Sequence, residues 1–141
     1  MLNEEVRNIM TKDPVVVNKH HTIQEVTNLM RTNKLQQMPV VEDGKLIGIV
    51  TSYDLWRYER QNENSFSEAI ENVMNKNVLV IAPKDKVATA AQLFIDRRFK
   101  TLPVVNLRNE LKGVVTAFDV IKYTYKKEIP NPILYKDVLG A

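Results

Sequence analysis

The chain has no cysteine among its 141 residues, so it can form neither a disulfide nor a thiolate site. Glycine is scarce, at four residues, and no glycine-rich loop of the phosphate-cradling kind is present. The two histidines, His20 and His21, are adjacent, and no Cys or carboxylate stands at ligand spacing from them. They read as a solvated loop, and no metal site is expected. No Ser-His-Asp arrangement is visible, so no catalytic cofactor and no enzyme activity are expected. No apolar run approaches about 18 residues, which excludes a membrane-spanning helix at sequence level. The start, MLNEEVRNIM, lacks the apolar core of a secretion signal, and a cytoplasmic location is expected.

Charge of one sign is also in short supply. Lys plus Arg exceed Asp plus Glu by 20 − 17 = 3. The charges are interspersed, and the densest basic cluster lies between Lys122 and Lys127. Three net charges neutralise little of a duplex, so a nucleic-acid partner is not expected. A modest surplus better suits a pocket for one anionic small molecule.

What the chain does have is repetition, which fixes architecture before any other signal. LIGIVTSYDL at 46–55 returns as LKGVVTAFDV at 111–120. Met38-Pro39-Val40-Val41 returns 64 positions later as Leu102-Pro103-Val104-Val105. Val6-Arg7-Asn8-Ile9-Met10 returns at the same offset as Ile70-Glu71-Asn72-Val73-Met74. Apolar residues are 44% and charged residues 26%, an ordinary globular balance. A chain of this length buries roughly 70% of its unfolded surface, whereas one repeat of about 50 residues has a small core. Two copies related by a pseudo-twofold, packed through their sheets, are therefore expected.

Each repeat reads as strand, helix, hairpin and helix, an α/β (α+β) β-α-β-β-α unit. Residues 14–17 and 78–81 are the expected first strands. Thr22-Ile23-Gln24-Glu25 is a capping box, after which Ile23, Val26, Leu29 and Met30 share one helical face. Residues 87–97 match that helix. Asp43-Gly44 is hairpin-turn chemistry between strands at 38–41 and 46–51. The second hairpin, 102–106 with 111–115, has a turn longer by one residue. A further helix is expected from Asp54 to Arg60. The polar stretch 57–65 reads as a connection, giving repeats at 5–60 and 67–126, a linker at 61–66 and a tail at 127–141. Pro130 and Pro132 exclude one continuous helix in the tail, and Ile133, Leu134, Tyr135 and Val138 predict that it packs. Met10 and Met74 fit core positions, and Trp56 and Tyr58 fit helix packing or a dimer face.

The duplicated Thr-x-x-Asp carries two readings. Thr51 and Thr116 could cap helices, with Asp54 and Asp119 favoured by the positive helix end. Alternatively, the pairs could bind a ligand, since they follow a glycine-containing strand at a helix N-terminus, where α/β arrangements place ligands.

The order, spacing and duplication of these motifs resemble a tandem pair of CBS domains, also called a Bateman module. The resemblance covers roughly residues 5 to 125. It rests on Met10 to Val15 with Met74 to Val78, on the two x-Pro-Val-Val segments, and on Gly48 to Asp54 with Gly113 to Asp119. It implies a regulatory module that binds adenosine-containing ligands between the repeats. In such modules Asp takes the ribose hydroxyls, Thr sits near ribose or phosphate, and adenine lies on apolar residues of the opposite repeat. Carried over, one site joins Thr51, Tyr53 and Asp54 to Asn75, Val78, Leu79, Phe99, Lys100 and Thr101. The other joins Thr116, Phe118 and Asp119 to Thr11, Val15, Val16, Leu35, Gln36 and Gln37.

Lys100, with Arg97 and Arg98 nearby, predicts that the first site prefers the more highly charged nucleotide. Gln36 and Gln37 leave the second poorer in cations, with Lys34 in reach. The ligands implied are AMP, ADP, ATP or S-adenosylmethionine, read out by conformational change to a regulated protein that the sequence does not name. A homodimer formed through the helices is implied as well. The competing expectation is a structural dimerisation module with empty clefts.

Overall fold

The computed structural model describes residues 3–97 and 100–129. The first repeat contains α1 (Ile23–Asn33), β1 (Gln37–Glu42), β2 (Lys45–Thr51) and α2 (Ser52–Gln61). The second contains α3 (Val87–Arg97), β3 (Thr101–Val105), β4 (Leu111–Thr116) and α4 (Ala117–Glu128). Single 3-10 turns stand at Val6–Asn8, Ser65–Ser67 and Ile70–Asn72. The tail residues from Pro130 onward, including Pro132, Ile133, Leu134, Tyr135 and Val138, lie outside the described residues.

Local signals place most of these elements. Thr22 accepts the Glu25 amide while the Glu25 carboxylate returns to the Thr22 amide, so α1 starts where its capping box lies. Lys34, at φ 55°, ends it in the left-handed region. Asp43 at φ 52° and Gly44 at φ 78° make the two-residue turn that matches strand twist. Both hairpins carry a bulge at equivalent points, Val40/Val41 and Val104/Val105. The longer second turn is organised by Asn106, whose Oδ1 accepts the Arg108 and Glu110 amides. α2 begins two residues before Asp54, because Thr51 is its cap, and runs on to Gln61 through much of the stretch read as connection.

The expected first strands are reduced to one parallel rung each. Val17 donates to Pro39 O and accepts from the Val41 amide, and Ile81 does the same with Pro103 and Val105. The next rung would need an amide hydrogen at Pro39 or Pro103, and proline has none. The hairpins themselves meet near their turns: Leu46 and Asn109 exchange backbone and side-chain bonds, with Leu46 N to Asn109 O at 3.0 Å and Asn109 Nδ2 to Leu46 O at 2.7 Å.

The cores do not follow the sequence repeats. One core gathers Val17, Ile23, Val26, Met30, Met38, Val40, Val50 and Leu55 of the first repeat together with Ile70 from the start of the second. The other gathers Ile81, Ala90, Phe94, Leu102, Val104 and Val115 together with Val6. The opening segment of each repeat is thus buried in its sister. Val6 and Ile70 are both fully buried, which stabilises by roughly 1.5–3 kcal/mol for a side chain of this size. Backbone bonds fix the exchange: Val6 N to Asp85 O at 2.8 Å and Val87 N to Glu4 O at 2.8 Å on one side, Ile23 N to Glu68 O at 2.9 Å and Ile70 N to His21 O at 2.7 Å on the other.

Candidate functional site

The exchange of opening segments builds two clefts. Thr11 and Val114 trade two backbone bonds at 2.8 and 3.0 Å, and Asn75 and Ile49 trade the equivalent two at 2.8 and 3.0 Å. Each pair joins one repeat's opening segment to the other's return strand, a few residues before its Thr-x-x-Asp. The two central glycines make this approach possible. A Cβ on Gly48 would stand 2.7 Å from Met74 Sδ, and one on Gly113 would stand 2.6 Å from Thr11 O. The glycines therefore admit protein backbone and methionine; ligand approach is not what demands them.

A cavity of about 130 Å³ opens beside the first pair. It is lined by Thr51 and Asp54, with Asn75, Val78, Leu79 and Thr101 from the second repeat. The second cavity, of about 240 Å³, is lined by Thr116 with Thr11, Val15, Leu35 and Gln37 from the first repeat. The structure therefore brings together most of the polar and apolar residues assigned from sequence, in the cross-repeat pairing expected. Both volumes fall below the roughly 300 Å³ usual for ligand pockets, so a nucleotide would be only partly enclosed unless the repeats spread.

Several assigned residues stand outside these walls. Tyr53 is 60% exposed and Phe118 68% exposed, on the outer faces of α2 and α4. Val16 is exposed as well, and Asp119, assigned to the second site, does not line the second cavity. Phe99 and Arg98 lie outside the described residues. Lys100 and Gln36, assigned to different sites, meet instead: Lys100 Nζ donates to Gln36 Oε1 at 3.2 Å.

Sequence reading missed Ile49, Asn77 and Pro103 in the first wall and Asp13, Pro14, Pro39 and Val114 in the second. The repeat offset was the signal available for them, since 49 matches 114, 77 matches 13 and 103 matches 39. The equivalent pair Asn77 and Asp13 differs in charge. An acidic Asp13 beside the second cavity disfavours phosphate there, in the same direction as the lack of cations at Gln36 and Gln37. Gln37 lines the first cavity too, and Thr101 lines both.

Both threonines cap their helices. Thr51 Oγ1 accepts the Asp54 amide at 3.0 Å, and Thr116 Oγ1 accepts the Asp119 amide at 3.0 Å. The hydroxyl proton of each remains a donor, so capping and ligand contact are compatible. The carboxylates differ more. Asp119 Oδ2 accepts the Thr116 amide at 2.9 Å and faces Thr11 Oγ1 at 3.5 Å, completing a capping box. Asp54 has Arg57 at 3.7 Å and keeps more acceptor capacity for a diol.

A larger cavity, of about 640 Å³, lies elsewhere, between residues 80–85 and Val105, Asn106 and Leu107, with Arg7 at its side. Its wall is mainly apolar and holds neither Thr-x-x-Asp pair, so its size does not make it the functional cleft. No group of acidic or histidine residues able to hold a metal occurs among the described residues. No helix among them is long and apolar enough to cross a membrane.

The comparisons with known proteins agree with this architecture. The CBS domain family matches residues 6–55 and 70–126. An uncharacterised Methanocaldococcus jannaschii protein, MJ0188, is 33% identical over 94% of this chain and 48% of its own length. The chain spans about half, or less, of the first curated relatives it matches. A Vibrio cholerae protein named for acetoin utilization superposes with a TM-score of 0.83 at 26% identity, covering 92% of this chain and 96% of that one. The CBS domain pair of protein MJ0100, solved in complex with 5-methylthioadenosine and S-adenosyl-L-methionine, superposes with a TM-score of 0.76 at 26% identity, covering 88% and 98%. Two family matches, two hairpin-and-helix units and two cross-repeat clefts make this chain a tandem pair of CBS domains, a member of the CBS domain family.

Proposed function

We propose that the chain is a non-catalytic sensor of adenosine-containing ligands, bound in the clefts between its two repeats. The observation that carries the reading is the first cavity. Thr51 and Asp54 at the N-terminus of α2 face Asn75, Val78 and Leu79 from the other repeat. An ionised carboxylate beside a threonine hydroxyl suits a ribose diol, since hydrogen bonds to charged groups contribute about 1.5–3 kcal/mol each. Half-buried Val78, with the exposed Leu79 beside it, offers an apolar surface to a flat base. A relative of the same architecture carries 5-methylthioadenosine and S-adenosyl-L-methionine, both built on adenosine.

Binding bridges the repeats, and a ligand shifts their arrangement only through different affinity for two forms. The exposed aromatic faces of α2 and α4, with Tyr53, Trp56, Phe118 and Tyr125, suit association of two chains into a homodimer. That dimer, or a regulated protein, reads the change. AMP, ADP, ATP and S-adenosylmethionine all share the adenosine that Thr and Asp would hold. Among them the first site favours the more highly charged nucleotide, because Lys100 stands immediately before β3 and Asp13 disfavours phosphate at the second.

Titration calorimetry with these four ligands tests the reading. Heat with at least one, and its selective loss in Asp54→Ala, are the expected results. Silence with all four would leave the structural reading, dimerisation with empty clefts. One observation favours that alternative at the second site, where Asp119 is already engaged by Thr116 and Thr11.

A further inference from the structure

The two cavities are not independent spaces. Gln37 and Thr101 border both of them. These residues are repeat equivalents, 64 positions apart, near the starts of β1 and β3. Their strand partners are the capping threonines: Gln37 lies opposite Thr51, and Thr101 lies opposite Thr116. Each is therefore one rung from the threonine of one site and part of the wall of the other.

Their side chains are unlike. Thr101 carries a short hydroxyl, whereas Gln37 carries an amide with an acceptor and two donors. The Gln37 Oε1 atom is buried and has no hydrogen-bond partner among the described residues. A buried acceptor left unmade is more costly than a made bond is stabilising. The amide thus sits in an arrangement that any nearby donor improves. Such donors are offered by a ribose hydroxyl beside Thr51, the strand partner of Gln37, in the first cavity and by the amine edge of a base in the second. One amide can turn to only one of them at a time.

We propose that ligand in one cavity opposes ligand in the other, with the Gln37 amide as the coupling group. This inference rests on the reading of both cavities as adenosine-ligand sites. The first ligand draws the amide to its own side, and the other cavity then presents a wall without that amide. Coupling of this kind is reciprocal, so either site can be filled first with the same penalty on the second. The adjacent bond from Lys100 to Gln36, at 3.2 Å, ties the two strand starts together.

Titration calorimetry of the full chain with AMP tests the coupling. Asp119→Ala isolates the first site and Asp54→Ala isolates the second, giving two intrinsic association constants. In the unsubstituted chain the product of the two measured constants is expected to fall at least about fivefold below the product of the intrinsic ones, the lower end of usual allosteric coupling. Repeating the set in a Gln37→Leu background should bring the two products within about twofold, the agreement expected of independent sites. Equal products in the unsubstituted chain, or a deficit that persists in Gln37→Leu, would overturn the proposal. Gln37→Ala serves if the leucine variant does not melt cooperatively. The two failures are distinct: two binding events with no deficit remove the coupling alone, whereas silence with AMP, ADP, ATP and S-adenosylmethionine alike removes the adenosine reading and the coupling with it.

Discussion

Lys100 and Gln36 occupy the same position in their respective repeats, and they are bonded to each other, Nζ to Oε1 at 3.2 Å. The cation that distinguishes the first repeat's site from the second therefore stands near the point where the two meet. Its partner is a neutral amide. On the proposed reading this cation serves a phosphate at the first cleft, since Asp13 lines the second.

Lys100→Gln should weaken ATP binding more than AMP binding. The loss for ATP is expected to be about tenfold, corresponding to one charge-assisted contact of about 1.4 kcal/mol. It should shrink as salt rises, because the group is exposed. Calorimetry at two salt concentrations measures both effects; equal losses for the two nucleotides would refute the phosphate role.

The two aspartates should separate binding from stability. Asp54→Ala is expected to abolish one binding event and change the melting temperature little. Asp119→Ala removes the return half of a capping box and should lower stability by about 0.5–2 kcal/mol. Denaturant midpoints of both variants, read beside their calorimetry, check the contrast.

Gly48→Ala and Gly113→Ala should each destabilise by about 1–3 kcal/mol through overpacking. The new methyl would sit 2.7 Å from Met74 Sδ or 2.6 Å from Thr11 O. Met74 can yield, whereas the Thr11 carbonyl is backbone, so Gly113→Ala is expected to be the worse of the two. Urea melts rank them, and the reverse order would contradict the close-approach argument.

Acid should loosen the hairpin ends before the core. The Asn106 amide and then Lys112 hold the Glu110 carboxyl below its usual value of 4.5. Lys19, by hydrogen bond and then by charge, lowers Glu42 in the same way. A carboxylate with a depressed folded value stabilises the fold above the unfolded value, and that contribution is lost as pH falls through the folded one. Carboxyl carbon shifts followed by NMR should give midpoints below 4.5 for both residues. In Glu110→Gln the acid response at Asn106 should disappear; a response that persists would assign it to another group.

Most of the fold was legible because the repeat prints every element twice. Thr22 with Glu25 and Asp43 with Gly44 declared a helix start and a turn by local chemistry alone. The cross-repeat pairing of Thr51 with Asn75 and of Thr116 with Thr11 was also legible, through resemblance to a tandem CBS pair. What the sequence hid was contact between distant segments. Residues 14–17 and 78–81 look like strands, but Pro39 and Pro103 cannot donate the next bond and leave one rung each. Val6 and Ile70 read as members of their own repeats, since nothing local reveals which core a buried side chain enters. Lys100 and Gln36 were assigned to opposite sites for the same reason: repeat equivalence gives position within a repeat, but not where two equivalent positions meet.

The exchange of opening segments gives the molecule the character of a handshake. Each half closes its core with a hand borrowed from the other: Val6 in one direction and Ile70 in the other. A single peptide cut between Asn62 and Ser65 would sever the chain but not the grip. The reverse also holds, for a half expressed alone would lack the residue that seals it. Anything that prises the repeats apart, whether a ligand, a partner or a mutation, pulls on both cores at once.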